Sequence, residues 1–109
     1  MREVKREIMA EILHRLASKF ALEVGSNASL LTITRVDVSP TGKEAKVYFT
    51  TLPEDKEDTA LKFLERKIPE FKLYIRDESR INIVPHVTFK IDYGERNRQR
   101  LDELGKEIN

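Results

Sequence analysis

Cations are the side chains in this sequence whose spacing could do chemistry, and that chemistry is phosphate binding. Between Lys62 and Arg76 the chain places Lys62, Arg66, Lys67, Lys72 and Arg76 against Glu65 and Glu70, a local +3. Between Lys90 and Arg100 it places Lys90, Arg96, Arg98 and Arg100 against Asp92 and Glu95, a local +2. Arg2, Lys5 and Arg6 crowd the start of the chain, where cations oppose a helix dipole and so point to another use, binding or plain solubility. With 20 basic and 19 acidic residues the net charge is only +1, but a polyanion responds to local potential rather than to the sum. The opposing run, Glu54 to Asp58, holds four anions and Lys56, a local −3. A single run of this kind more often just solvates a helix.

Other site chemistry does not assemble. There is no cysteine, which excludes disulfides, thiolate catalysis and cysteine-bound zinc. His14 and His86 stand in no Asp/Glu/His set at metal-ligand spacing. Ser18, Ser26, Ser29, Ser39 and Ser79 lack a nucleophile-elbow context. Gly25, Gly42, Gly94 and Gly105 are isolated, so no glycine-rich phosphate loop exists. The adjacent acids Asp77-Glu78 and Asp102-Glu103 would diverge by about 100° on a helix and share no site. The sequence reads as a non-catalytic protein with neither metal nor cofactor.

The elements that must carry the cations follow from periodicity. Val4, Ile8, Ile12, Leu16 and Phe20, widened by Leu13 and Ala17, predict a helix from Arg2 to Leu22, stopped by Gly25 and Ser26-Asn27. Leu30 to Val38 predicts a strand whose alternation changes phase near Thr34-Arg35, as a bulge or two-sided burial would require. The Ser39–Lys43 turn joins it to a second strand, Ala45, Val47 and Phe49 inward and Lys46, Tyr48 and Thr50 outward. Tyr48 on that polar side either packs across strands or stacks on a base. Leu52-Pro53 opens a helix that buries Ala60, Leu61, Leu64 and Ile68. Pro69 breaks it and suits the first turn of a second helix to about Asp77, with Phe71, Tyr74 and Ile75 inward and Lys72 and Arg76 sharing an outward face. Ile81, Ile83, Val87, Phe89 and Ile91 predict the last strand, with Asn82, His86, Thr88, Lys90 and Asp92 on its polar side. Pro85 places that strand at an edge or marks its early part. Leu101, Leu104 and Ile108 predict a helical tail that frays or folds on binding. Arg96, Arg98 and Arg100 line one side of the tail if it is extended and about two faces if it is helical.

The length of 109 residues fits one domain. Residues 1–94 read as the folded body and 95–109 as the basic tail. Charged residues make up 36% of the sequence, far above the usual ~25%. No apolar run approaches the ~18–20 residues that a membrane span needs, and the charged N-terminus lacks an apolar signal segment. A cytoplasmic monomer is expected.

Three segments resemble the ribosome-binding factor A family. They are Val36-Asp37-Val38-Ser39 with Ala45-Lys46-Val47-Tyr48-Phe49, then Ile83-Val84-Pro85-His86-Val87-Thr88-Phe89, and finally Glu95-Arg96 through Arg100-Leu101-Asp102-Glu103-Leu104. The first helix, with Ile12-Leu13, fits as well. The resemblance implies an α+β fold, a single KH-like domain of type II order α-β-β-α-kink-α-β. The family's kinked Ala-x-Gly is replaced by Lys67-Ile68-Pro69, and the Asp-Pro-Arg-like segment before the first strand by Glu23 to Ser29. It further implies association with the 30S small subunit and 16S rRNA, help in late subunit assembly and 16S 5′-end maturation, notably in the cold, and contact with other assembly factors, including assembly GTPases. On that reading the RNA-contacting candidates are Arg2, Lys5, Arg6, Arg66, Lys67, Lys72, Arg76, Lys90, Arg96, Arg98 and Arg100. The alternative is a protein–protein adaptor that docks a partner through the Glu54–Asp58 run and the apolar tail residues. A third reading, an enzyme subunit whose site needs another chain, calls for a deep pocket at an interface.

Overall fold

A computed structural model describes the backbone of residues 1–25 and 30–108, and their side chains except at 103 and 106–108. The expected helix stop at Ser26-Asn27 and the packing of Ile108 lie outside the described residues. The elements run α1 (Glu3–Val24), β1 (Leu30–Val38), β2 (Glu44–Leu52), a 3-10 turn (Glu54–Lys56), α2 (Glu57–Arg66), α3 (Ile68–Glu78), β3 (His86–Ile91) and α4 (Tyr93–Ile108). The sheet order is β1-β2-β3, antiparallel between β1 and β2 and parallel between β2 and β3.

The first helix buries Leu13, Leu16, Ala17, Phe20 and Ala21. Val4 and Ile8, expected in the same stripe, are exposed. Strict spacing of four advances about 40° per step on a helix of about 100° per residue. Val4 and Phe20 therefore lie about 160° apart, and only the mixed three-and-four spacing from Leu13 onward keeps one face on the sheet. His14 ties that face down, its Nε2 donating to the Ile33 carbonyl at 3.1 Å.

The predicted hairpin forms. Gly42 closes it with φ +74°, a value that L side chains rarely adopt, while its N–H donates to the Ser39 carbonyl at 2.9 Å. The register slips between Ile33 and Arg35. This bulge is the physical form of the phase change in the sequence: Ile33 pairs with Phe49 on the covered face, and Arg35 pairs with Tyr48 on the other.

After β2 the chain crosses over through α2 and α3. Lys67 alone separates the two helices, at φ −93° and ψ 0°, and Pro69 sits in the first turn of α3. Phe71 and Ile75 are fully buried. Phe71 joins Phe20 (centroids 5.0 Å) to Phe89 (5.8 Å), so one ring links α1, α3 and β3. Burial of such a side chain contributes roughly 1.5–3 kcal/mol.

Two expectations for the last strand are corrected. It begins at His86, not Ile81, and Ile83 is 87% exposed. Pro85 has no N–H to donate, and β2 offers no partner before the Glu44–His86 pair, so the alternation at 81 and 83 has nothing to pair with. Asp92, read as an outward polar residue, is buried. Its Oδ1 accepts the Glu95 N–H at 3.1 Å, which makes it the N-cap of α4, and its Oδ2 accepts the Thr34 hydroxyl at 2.6 Å. The helix therefore starts at once, through Gly94.

Candidate nucleic-acid interface

The helix–kink–helix carries its cations unevenly. Arg66 and Arg76 are exposed and Lys72 is half-buried. None of the three joins an ion pair among the described residues. Lys72 and Arg76, four apart, lie within about 40° of each other on α3, the shared face that their spacing predicts. Lys67 turns elsewhere. Its Nζ lies 3.3 Å from Glu70 and 5.7 Å from the Phe63 ring centroid. The helix start that anions favour thus carries a carboxylate of its own, held by the nearest lysine. At the chain start Arg2 and Lys5 are exposed, while Arg6 pairs with Glu3 at 3.3 Å.

The tail is helical, and its arginines face inward more than the sequence implies. Arg96 Nη1 donates to Glu57 Oε1 at 2.8 Å, and both side chains are largely buried. Arg100 grips Glu54 through Nε and Nη2. These hydrogen bonds, ahead of a smaller burial effect in the opposite direction, hold the Glu54 carboxyl below the usual carboxylate range. Arg98 remains largely exposed beside Glu95 at 3.1 Å. Of the three tail arginines, two are therefore committed to the acidic 54–58 run: a +2 segment closes on a −3 segment. Sharing one helix face at spacing four makes this possible.

On the outer face of the sheet, Lys90 is exposed and pairs in register with Tyr48. Tyr48 is half-buried because Arg35 lies over it, guanidinium carbon 3.9 Å from the ring centroid. Arg35 and Asp92, which composition and charge runs do not single out, shape this face of the sheet. The signal for Arg35 was the change of phase that moves it to the outer face. Burial raises the Asp92 pKa, but the Thr34 hydroxyl, the Glu95 N–H and the charges of Arg35 and Arg98 outweigh that and leave it below the usual value.

What this arrangement offers chemically is exposed positive charge beside a helix break. Among the described residues no group of three histidine, cysteine or acidic residues could hold a metal, and no helix is long and apolar enough to cross a membrane. The surface cleft beside Glu54, Asp55, Glu57, Asp58 and Arg100 is acidic and open.

The order α-β-β-α-kink-α-β, with the break held in a single residue, defines a KH-like α+β domain. A crystal structure of ribosome-binding factor A from Thermus thermophilus has the same fold, with a TM-score of 0.70 over 79% of this chain and 94% of that one, at 22% identity. The family described as Ribosome-binding factor A matches residues 1–105. Relatives of that name from Caldicellulosiruptor bescii (32% identical, over 94% of this chain and 78% of theirs) and Staphylococcus epidermidis (30%, over 95% and 88%) are similar along nearly the whole length. The chain belongs to the ribosome-binding factor A family.

Proposed function

We propose that this protein is a non-catalytic ribosome-binding factor that associates with the 30S subunit through 16S rRNA and assists late assembly and 16S 5′-end maturation. The observation that carries the reading is family membership across residues 1–105 on a KH-like fold. Further support comes from the exposed cations Arg66, Lys72 and Arg76 beside the helix break. In KH domains that break is where the nucleic-acid backbone is held. Here Pro69 supplies no N–H, so side-chain charge has the larger share of phosphate attraction. Arg2, Lys5 and Lys90 are the further contact candidates. Arg6, Lys67, Arg96, Arg98 and Arg100 would first have to exchange a carboxylate for a phosphate.

Co-sedimentation with small and large subunits across a salt series tests this. Saturable binding selective for the small subunit at physiological salt is expected. The Lys72→Glu/Arg76→Glu double variant should lose it with thermal unfolding nearly unchanged. Binding to both subunits that vanishes by about 0.2 M salt reduces the reading to generic phosphate attraction. Leu101 and Leu104, exposed on α4, favour the second reading, a partner-docking adaptor. Absence of subunit binding at every salt concentration would leave that one standing.

A further inference from the structure

The sheet has one covered face and one largely open face. Ile33, Val38, Ala45, Val47, Phe49, Val87, Phe89 and Ile91 are buried on the covered side. On the other, Arg35, Asp37, Lys46, Lys90 and His86 are exposed, and Thr88 and Tyr48 are half-buried. Thr50 is the buried exception, where the Thr34–Asp92 hydrogen bond and the start of α4 cover the sheet.

Tyr48 stands at the middle of this open face. Register places Arg35 on one side and Lys90 on the other, and Lys46 lies two residues back on the same strand, roughly 7 Å away. Three cations therefore border one aromatic ring. Arg35 is not a loose member of this group. Its guanidinium lies on the Tyr48 ring, and its edges meet Asp37 Oδ2 at 3.2 Å and Asp92 Oδ2 at 3.6 Å. Its side chain nevertheless keeps 53% of its surface exposed. Two carboxylates against one guanidinium leave this cluster at −1, which Lys46 and Lys90 bring to +1, so the asset of Arg35 is a fixed flat surface rather than its charge. Lys46 and Lys90 join no ion pair among the described residues. Lys46 stands opposite Asp37 in register but is not bonded to it, so both ammonium groups can still meet a phosphate.

A planar group held on an aromatic ring and flanked by unpaired ammonium groups is the chemistry that holds unpaired nucleic-acid bases. Bases stack on aromatic rings or arginine planes while lysines take the backbone. A paired duplex cannot present a base face in this way. We propose that the open sheet face binds a single unpaired RNA base, stacked on the Arg35–Tyr48 pair, with flanking phosphates on Lys46 and Lys90. This rests on the RNA-binding reading above and adds to it a second contact surface, on the opposite side of the sheet from the helix break. The bulge in β1 makes the site, because without it Arg35 would point into the core.

The test is fluorescence anisotropy of a labelled six-nucleotide single-stranded oligoadenylate and of a fully paired RNA duplex, titrated with the full chain. The single strand should bind more tightly than the duplex. Tyr48→Ala should weaken single-strand binding roughly tenfold or more, with Tyr48→Phe restoring it. Lys46→Ala/Lys90→Ala should weaken all RNAs alike and flatten the salt dependence. Thermal melts of each variant check that the fold persists, and the lysine pair, remote from the core, supplies a variant that folds. If Tyr48→Ala binds the oligonucleotide as the unaltered chain does, or the unaltered chain does not bind it, the sheet-face site is wrong. Retained small-subunit co-sedimentation in that case leaves the proposed function intact. Loss of both in the unaltered chain removes the function reading as well.

Discussion

Replacing Asp92 with alanine asks whether one buried carboxylate really joins the tail helix to the sheet. The residue makes two short hydrogen bonds and one looser ionic contact: Glu95 N–H at 3.1 Å, Thr34 hydroxyl at 2.6 Å and Arg35 Nε at 3.6 Å. Losing an N-cap costs about 1 kcal/mol. Leaving a part-buried hydroxyl without its charged acceptor costs about 1–2 kcal/mol more. At roughly 4–6 °C per kcal/mol for a chain of this size, the melting temperature should fall by roughly 8–18 °C. Asp92→Asn keeps one oxygen to cap the Glu95 N–H and turns an NH2 donor toward the Thr34 hydroxyl, which can accept in its place, so it should lose about half as much or less. The pH dependence has a definite sign. A carboxyl whose folded pKa is depressed contributes its stability above the unfolded value of about 3.9 and loses it as pH falls through the folded pKa. Melts followed by far-UV circular dichroism from pH 7 to pH 3 would show this, with a flatter acid limb in Asp92→Asn. An alanine variant melting within about 2 °C of the unaltered chain at pH 7 would refute the reasoning.

Three further substitutions probe the rest of the frame. Phe71→Ala, which empties the ring position between Phe20 and Phe89, should cost about 3–5 kcal/mol in urea unfolding; a loss under about 1 kcal/mol would mean the ring is not central to the core. Arg96→Met leaves the Glu57 carboxylate buried without its partner, so it should cost about 3–5 kcal/mol, whereas Arg96→Met/Glu57→Leu recovers most of that; equal instability of the single and double variants would contradict the pairing. Pro69→Ala should cost no more than about 1 kcal/mol, because Pro69 sits in the first turn of α3, where its missing N–H breaks no bond within that helix; a far larger loss in the same urea assay would contradict this.

Local pattern carried much of the fold. The Ser39–Lys43 turn, the change of phase at Thr34-Arg35 and the proline after α2 each act within a few residues, so each was visible as spacing. Sequence and structure differ where a distant partner decides the outcome. Asp92 is buried because Thr34, 58 residues away in the chain, meets it. Arg96 and Arg100 look like a free basic run until Glu57 and Glu54, 39 and 46 residues earlier, close on them. Charge arithmetic along the chain counted the +2 and −3 runs separately, although the fold sets them against each other. Lys72 and Arg76 were legible as a pair because helical spacing alone puts them together. Arg35 does not stand out in the sequence because its place depends on Tyr48 in the neighbouring strand.

The bulge in β1 has a second consequence, for how copies of the protein behave toward one another. The outer edges of β1 and β3 carry backbone donors and acceptors that a strand from another copy could pair with, the usual route to edge-to-edge aggregation. The β3 edge is only six residues long, starts after Pro85 and ends where the chain turns into α4. The β1 edge is nine residues long, enough to template an added strand, but the slip between Ile33 and Arg35 breaks its hydrogen-bonding rhythm and twists it out of plane. Removing Thr34, the extra residue, would keep Arg35 opposite Tyr48, directly after the Ile33–Phe49 pair, but would even out the strand. It would leave an even edge of the kind on which strands from other molecules accumulate.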